Sequence, residues 1–358
     1  MAVTLRDVAR QCGLAPSTVS DVLNNRRGTW ASSDTRSRIL EAADVLGYRP
    51  NAAARTLRTG KTYVVALVYQ TDDSNWQFDG IAEAIAEHLG NYNYSLLLRT
   101  YPDQTTLLDS LGQMVRAKIC DAVVLFGQES AVFEQGRLLE DQGMPFVVKG
   151  RYEKEAPHWI QVDYDHEGMM RLAVEHLVRR GHRKIAYLSY ALTDVYRERL
   201  LQGFRQAIRE QTGSDVDEVL LGVVDDSPDM AGAWLEKWMS LPPSRRPTSA
   251  VLNTGDQLWR GLEYALLKSG GGDLTGEFDF EMVGQATKGL TLLKVRGYSF
   301  CDLNHRTIAE TMVRELLRPL LVDGKIPDRP IRRILPELQP VPATCLDGLL
   351  LSASEKKP

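Results

Sequence analysis

From Tyr63 to Leu303 the chain alternates short, strand-like apolar runs with longer stretches of helical periodicity, and this alternation restricts the fold more than any other feature of its 358 residues. Val64 to Val68 precedes FDGIAEAIAEHLG, Ser95 to Leu98 precedes TTLLDSLGQMVRAK, Ala122 to Leu125 precedes SAVFEQGRLLEDQG, and Phe146 to Val148 follows. A second series runs through MMRLAVEHLVRRGH, IAYLS, RERLLQGFRQAIREQ, EVLLG, AGAWLEKWMS, SAVLN, DQLWRGLEYALLKSG and FEMVG; YSFCDL and HRTIAETMVRELLRPLLVDG then bring the chain back. Each helical crossover sets neighbouring strands parallel, so sheets flanked by helices are expected. Two series predict an α/β core of two doubly wound parallel-sheet subdomains with a cleft between them. This core should occupy residues 62–350, with one subdomain over about 62–163 and 293–322, the other over about 164–292 and 323–350, and a tail at 351–358.

The first 61 residues differ in kind. They hold ten Lys/Arg against five Asp/Glu, a net +5, which leaves −9 of the chain's overall −4 for residues 62–358. A small basic module joined to a large acidic one suits a chain of which only the first part approaches phosphates. Thr4, with an acid at Asp7, is a helix start of capping-box type, and Leu5, Val8 and Ala9 share one face of that helix. QCGLA supplies a glycine turn and Pro16 suits the first position of a second helix. Val19, Val22 and Leu23 form its apolar face, which places Pro16, Ser17, Ser20 and Asp21 on the other side. A third helix is expected over SDTRSRILEAADVLG, capped by Ser33, with Ile39, Leu40, Ala43 and Leu46 inward and Gly47 as its stop. Two helices joined by a tight turn and braced by a third make an all-α helix-turn-helix domain, here residues 1–47.

Composition excludes several classes. The hydrophobic and charged fractions, 43% and 25%, are those of an ordinary globular protein. The longest apolar runs, AVVLF and YVVALVY, are strand-length and fall short of the ~20 residues of a membrane span. No signal-peptide pattern opens the chain, so a cytoplasmic location with no membrane partner is expected. Cys12, Cys120, Cys301 and Cys345 show no metal-ligand spacing and should be reduced thiols. Neither GxGxxG after a strand nor GxxxxGK[ST] occurs, and six scattered histidines form no triad; an enzyme is not expected, nor a cofactor or a bound metal.

TLRDVARQCGLAPSTVSDVLNN followed by TRSRILEAADVLGYRPNAAARTLRTGKT resembles the DNA-binding head and hinge of the lactose-repressor (LacI/GalR) family of bacterial transcription regulators. The likeness continues through EHLVRRGHRKIAYL, RERLLQGF and LPEL, and implies a core similar to periplasmic sugar-binding proteins. It implies a hinge at 48–61, whose Asn51 to Leu57 segment forms a short helix when two subunits meet on an operator. Leu57 would then wedge into a minor-groove step, with Asn51 as N-cap and Ala52 to Ala54 slim and helix-prone. One such turn is too short to be stable alone. The second helix carries no base, and its STVSDVLNN has only Asp21 as a charge; affinity is expected instead from Arg6, Arg10, Arg26, Arg27, Arg36, Arg55, Arg58 and Lys61 around it.

The resemblance implies DNA contacts at Thr4, Arg6, Pro16, Ser17, Thr18, Ser20, Asp21, Asn24, Arg26, Arg27, Asn51, Ala54, Arg55, Leu57 and Arg58. Asp21 stands where the family commonly has arginine; a carboxylate cannot donate to guanine but can accept from cytosine N4. Trp30 is either a backbone contact or a plug of the head's core. The partners implied are a pseudo-palindromic double-stranded operator, a second copy of the chain and a small, carbohydrate-derived effector. For the effector the candidates are Asn75, Trp76, Phe78, Arg151, Tyr196, Arg197, Asp256 and Gln285, with Tyr152 as a further stacking face. The family's acids are missing at Gly150 and Ala286, so a sugar acid or sugar phosphate is expected ahead of a neutral sugar, unless Asp72, Asp163 or Asp256 replaces them. EHLVRRGHRKIAYL itself reads as architectural. A solute-binding sensor with no sequence-specific DNA role is the alternative function.

Overall fold

A computed structural model of the chain describes residues 3–23, 31–49, 52–70, 78–126, 129–152, 154–190, 194–224, 228–253, 261–262, 280–286, 298–325, 327 and 331–339. It divides into two compact units: Met1–Gly127 with Ala131–Val148 and Met312–Asp328, and Gln128–Ser130 with Lys149–Thr311 and Arg329–Pro358.

The first unit opens with helices α1 (Leu5–Cys12), α2 (Pro16–Leu23) and α3 (Ser33–Val45). Asp7 reaches back to the start of α1 and accepts from the Thr4 amide (3.0 Å) and hydroxyl (2.7 Å). Gly13, at φ +66°, turns the chain toward α2, and the Leu14 amide bonds the Ala9 carbonyl at 3.0 Å. Only a residue without a Cβ takes that conformation at no cost. Gly47 ends α3 in the same left-handed region, and the Tyr48 amide bonds Ala43 at 2.8 Å. The cap of α3 is Ser32, not Ser33: its Oγ accepts from the Thr35 amide at 3.2 Å. Val8, Ala9, Cys12, Val19, Val22, Ile39, Ala42 and Ala43 form the head's core. Leu40, expected inside, is 52% exposed, because Ile39 and Ala43 already fill the inward stripe together with Ala42.

Helix α4 (Ala52–Thr59) leads into β1 (Val64–Gln70). The strands β1, β2 (Ser95–Tyr101), β3 (Ala122–Leu125) and β4 (Phe146–Lys149) lie in the order β2-β1-β3-β4 and all run parallel. Val65, Ala66, Leu67 and Val68 of the central strand are fully buried, as a strand covered on both faces requires. Helices α5 (Phe78–Gly90), α6 (Gln104–Arg116) and α7 (Glu129–Asp141) supply the crossovers. Among them α5 buries Ile81 and Ile85, and α6 buries Leu107 and Leu111. Asp103 caps α6 by accepting from the Thr106 amide at 2.8 Å.

In the second unit β5 (Gln161–Tyr164) pairs in parallel with β11 (Ile331–Ile334). A six-stranded sheet follows from β6 (Ile185–Tyr190), β7 (Leu221–Val224), β8 (Ser249–Asn253), β9 (Glu281–Ala286), β10 (Tyr298–Asp302) and β12 (Glu337–Gln339), ordered β12-β10-β9-β8-β6-β7. All neighbours are parallel except β10 and β12. Helices α8 (His166–Arg179), α9 (Asp194–Thr212) and α10 (Pro228–Met239) connect the strands, and Trp238 of α10 is fully enclosed by Leu188, Leu235 and Leu252 among others. Helix α11 (His305–Glu310) continues into wider, π-type turns over Thr311–Leu317 and Pro319–Asp323.

EHLVRRGHRKIAYL is indeed used to join helix to strand. His176 and His182 place Nε2 at 3.0 and 3.1 Å from the Glu281 carboxylate, which also accepts from Arg180 Nε at 2.5 Å. Burial alone would raise the Glu281 carboxyl, but these three donors hold it well below the usual carboxylate range. Cys12, Cys120 and Cys301 are buried free thiols. Among the described residues no helix is long and apolar enough to cross a membrane, and no cluster of His, Cys, Asp or Glu suits a metal.

Candidate nucleic-acid interface and effector site

On α2 the buried face, Val19 and Val22, packs onto α1 and α3, while Pro16 and Ser17 are exposed and Thr18 and Asp21 half-buried. Thr4 and Arg6 are exposed beside them. Ser20 departs from expectation. It is only 5% exposed, and its Oγ accepts from Arg58 Nη1 of α4 at 3.3 Å. It follows Val19 closely enough around the helix to fall at the edge of the packed stripe, so in the free chain it does not stand open to bases. Asn24, Arg26, Arg27, Trp30 and Asn51 lie outside the described residues.

Helix α4 spans Ala52–Thr59, ending beyond the predicted Leu57. Ala54 and Arg58 are exposed, and Leu57, at 89% exposure, is the largest apolar surface on it. An isolated leucine left in water costs a little stability and calls for a partner only when neighbouring features share its face. Here arginines flank it at positions 55 and 58. Arg55 is half-buried, with its guanidinium carbon 4.0 Å from the centre of the Tyr63 ring.

The effector candidates fare unevenly. Gln285 is buried, and its Nε2 donates to Asn253 Oδ1 at 2.8 Å; Asn253 Nδ2 donates in turn to Ser189 Oγ at 3.0 Å. These three residues sit near the carboxyl ends of β9, β8 and β6, which are adjacent in the sheet. Ligands of open parallel sheets bind outside the carboxyl ends of strands. Ser189 and Asn253 escaped the sequence reading; the one signal was a polar residue closing each of two apolar runs, IAYLS and SAVLN.

Arg151 is already paired with an acid. Its Nη1 lies 2.7 Å from both Glu167 carboxylate oxygens, and the side chain is largely buried. Burial would raise the Glu167 carboxyl, yet Arg151 holds it below its ordinary value. A guanidinium so engaged brings little net charge to an anionic ligand. Tyr152 is no stacking face either: it is buried against Trp159, with ring centres 5.6 Å apart. Asp163, the candidate replacement for the missing acids, is engaged as well: Lys149 Nζ lies 3.0 Å from its Oδ1 and His166 Nε2 lies 3.2 Å from its Oδ2. Asn75, Trp76, Asp72 and Asp256 lie outside the described residues, as do the side chains of Phe78, Tyr196 and Arg197.

The chain thus joins a helix-turn-helix head to a core of parallel sheets with polar strand ends. Residues 4–51 match the family described as bacterial regulatory proteins, lacI family, and residues 62–311 match periplasmic binding proteins and sugar binding domain of LacI family. The chain belongs to the LacI family. It is 29% identical over 214 residues to the HTH-type transcriptional regulator MalR of Streptococcus pneumoniae, covering 58% of this chain and 63% of that protein. It is 31% identical over 207 residues to the HTH-type transcriptional repressor PurR of Mannheimia succiniciproducens, covering 58% of this chain and 61% of that one. The chain thus spans less than two thirds of the length of these relatives. Catabolite control protein A of Priestia megaterium is 28% identical, with 79% of this chain and 82% of that protein covered. In fold the chain is similar to the lac repressor dimer bound to operator and the anti-inducer ONPF (TM-score 0.69, 20% identity, 95% and 98% of the two chains covered). It is likewise similar to the CelR–cellobiose complex (TM-score 0.63, 23% identity, 94% and 98% covered).

Proposed function

We propose that the chain is a dimeric, operator-binding transcriptional repressor of the bacterial cytoplasm, with no catalytic role, whose DNA affinity is set by a small carbohydrate-type effector. Residues 1–47 read the operator, 48–61 form the hinge, and 62–350 hold the effector. The observation that carries the reading is α4, a short helix that exposes Leu57 between arginines directly ahead of the core's first strand. An apolar side chain presented in a basic setting suits a kinked minor groove. Two heads related by a twofold axis would read two half-sites. The lac repressor of similar fold is a dimer on its operator, which supports both points. Selection of genomic fragments on the immobilised protein tests it. One pseudo-palindromic site should emerge, and binding to it should weaken by about 10³- to 10⁵-fold between ~50 and ~200 mM salt if 6–10 phosphates are contacted. Recovery of fragments with no common site would leave only a solute sensor.

Asp21→Ala is expected to change which half-site bases are selected, with the salt slope unaltered, because a carboxylate on a base-free helix reads rather than attracts. An unchanged selected sequence would reduce Asp21 to a surface residue.

For the effector, the buried chain of Ser189, Asn253 and Gln285 is neutral and leaves Gln285 Oε1 without a hydrogen-bond partner among the described residues, and Glu167 already neutralises Arg151. We therefore place neutral sugars ahead of sugar acids, reversing the order expected from sequence. CelR, of similar fold, is seen with the neutral disaccharide cellobiose. Calorimetry with neutral mono- and disaccharides and their uronic acids should find the neutral form tighter. Gln285→Leu should weaken it by about 1–3 kcal/mol, the cost of stranding a buried partner. Tighter binding of the acid, unaffected by Gln285→Leu, would restore the sequence-based order.

A further inference from the structure

We infer that Arg55 positions the hinge helix instead of contacting phosphate: seated on the Tyr63 ring, it pins α4 to the start of the core. The expectation from sequence grouped Arg55 with Arg58 as backbone contacts, and the two are built differently. Arg58 is exposed, whereas Arg55 is half-buried, lies 4.0 Å over Tyr63, and has a buried Nε with no hydrogen-bond partner among the described residues. A guanidinium meant for phosphate gains by keeping its five donors in water or on oxygen, whereas one lying over an aromatic face gives up that option for the ring's quadrupole.

The seat is itself constructed. Tyr63 adopts φ +59°, a left-handed conformation rare for an aromatic residue, so something outside the residue must hold it there. Asp121, just ahead of β3, does so. Its Oδ1 accepts from the Thr62 amide at 2.8 Å and hydroxyl at 2.9 Å, and its Oδ2 accepts from the Tyr63 amide at 2.9 Å. Tyr94 backs the Tyr63 ring, with centres 5.4 Å apart. Burial, and after it the negative charge of Asp121, push the Tyr94 phenol well above its ordinary range. A helix of eight residues is marginal in water, and a single anchor near its middle shifts its population. Arg55 and Tyr63 thus set how much of the hinge is helical before DNA is met.

The inference rests on α4 being the DNA-contacting hinge, but its first test needs no DNA, so the two ideas fail separately. In amide hydrogen exchange on the full chain, Arg55→Gln and Tyr63→Asn should each speed exchange over residues 52–59 by roughly tenfold, the scale of one partly desolvated cation–π contact. Asparagine tolerates the left-handed backbone, so loss of the ring is what this variant reports. The double variant should exchange no faster than either single one, and Tyr63→Phe, which keeps the ring, should match the parent. In the second arm, binding to a random-sequence duplex, Arg58→Gln should make the salt slope shallower by about one and Arg55→Gln should leave it unchanged. Parent-like exchange in both Arg55→Gln and Tyr63→Asn, or a slope reduced by about one in Arg55→Gln, would return Arg55 to the phosphate contacts.

Discussion

Replacing Lys149 by methionine is expected to lower the unfolding free energy by about 3–5 kcal/mol at neutral pH, because it strands a carboxylate in the protein interior. The side chains of Lys149 and Asp163 are only 12% and 6% exposed, and the ammonium also lies 4.8 Å from the Tyr164 ring centre. Burial by itself would raise the Asp163 carboxyl, but Lys149 and His166 together hold it well below the carboxylate range. Urea unfolding would show the loss as a lower midpoint at unchanged slope. The double variant Lys149→Met with Asp163→Leu should regain most of it, since a hydrophobic pair of similar volume needs no charge compensation. A cost below about 1 kcal/mol in the single variant would mean that His166 alone suffices as counter-charge.

The pH dependence follows from the same carboxylates. Asp163 and Glu281 bind protons less readily in the folded chain than unfolded, so their contribution is complete above the unfolded carboxyl range of about pH 4–5 and is lost as pH falls below it. In Lys149→Met the deficit should therefore be largest near neutrality and shrink toward pH ~3–4, where a protonated Asp163 needs no partner.

Leu57→Ala should separate binding from folding. At 89% exposure the side chain contributes little to the fold, and the unfolding midpoint should move by no more than the equivalent of about 0.5 kcal/mol. Operator binding should lose a few kcal/mol, or about 10²-fold or more, because unstacking a base step is offset only by an apolar wedge that fills it. Circular permutation of the binding site in a gel-shift assay reads the bend directly, and the variant complex should bend DNA less. Parent-like affinity and bending would remove Leu57 from the interface and leave its exposure unexplained.

How far each expectation reached depended on the range of the interaction behind it. The alternation of FDGIAEAIAEHLG-type helices with runs such as VVALV sufficed for the parallel sheets, since periodicity and crossover geometry act within one unit of strand and helix. Gly13, Pro16 and Gly47 marked the ends of head helices for an equally local reason: backbone conformation at those positions. Side-chain fates were another matter. Arg151 was read as free to meet a ligand, but its charge is taken by Glu167, 16 positions on and in another element. Ser20 looked solvent-facing by helical spacing alone, until Arg58, 38 positions away, closed over it. Ser189, Asn253 and Gln285 come from three strands and meet only because the sheet order places β6, β8 and β9 side by side. Local pattern decided which residues form helices, strands and turns, because those choices depend on near neighbours along the chain. Only the tertiary structure decided which charges are neutralised and which polar groups converge, because a counter-ion or hydrogen-bond partner is set by distance in space.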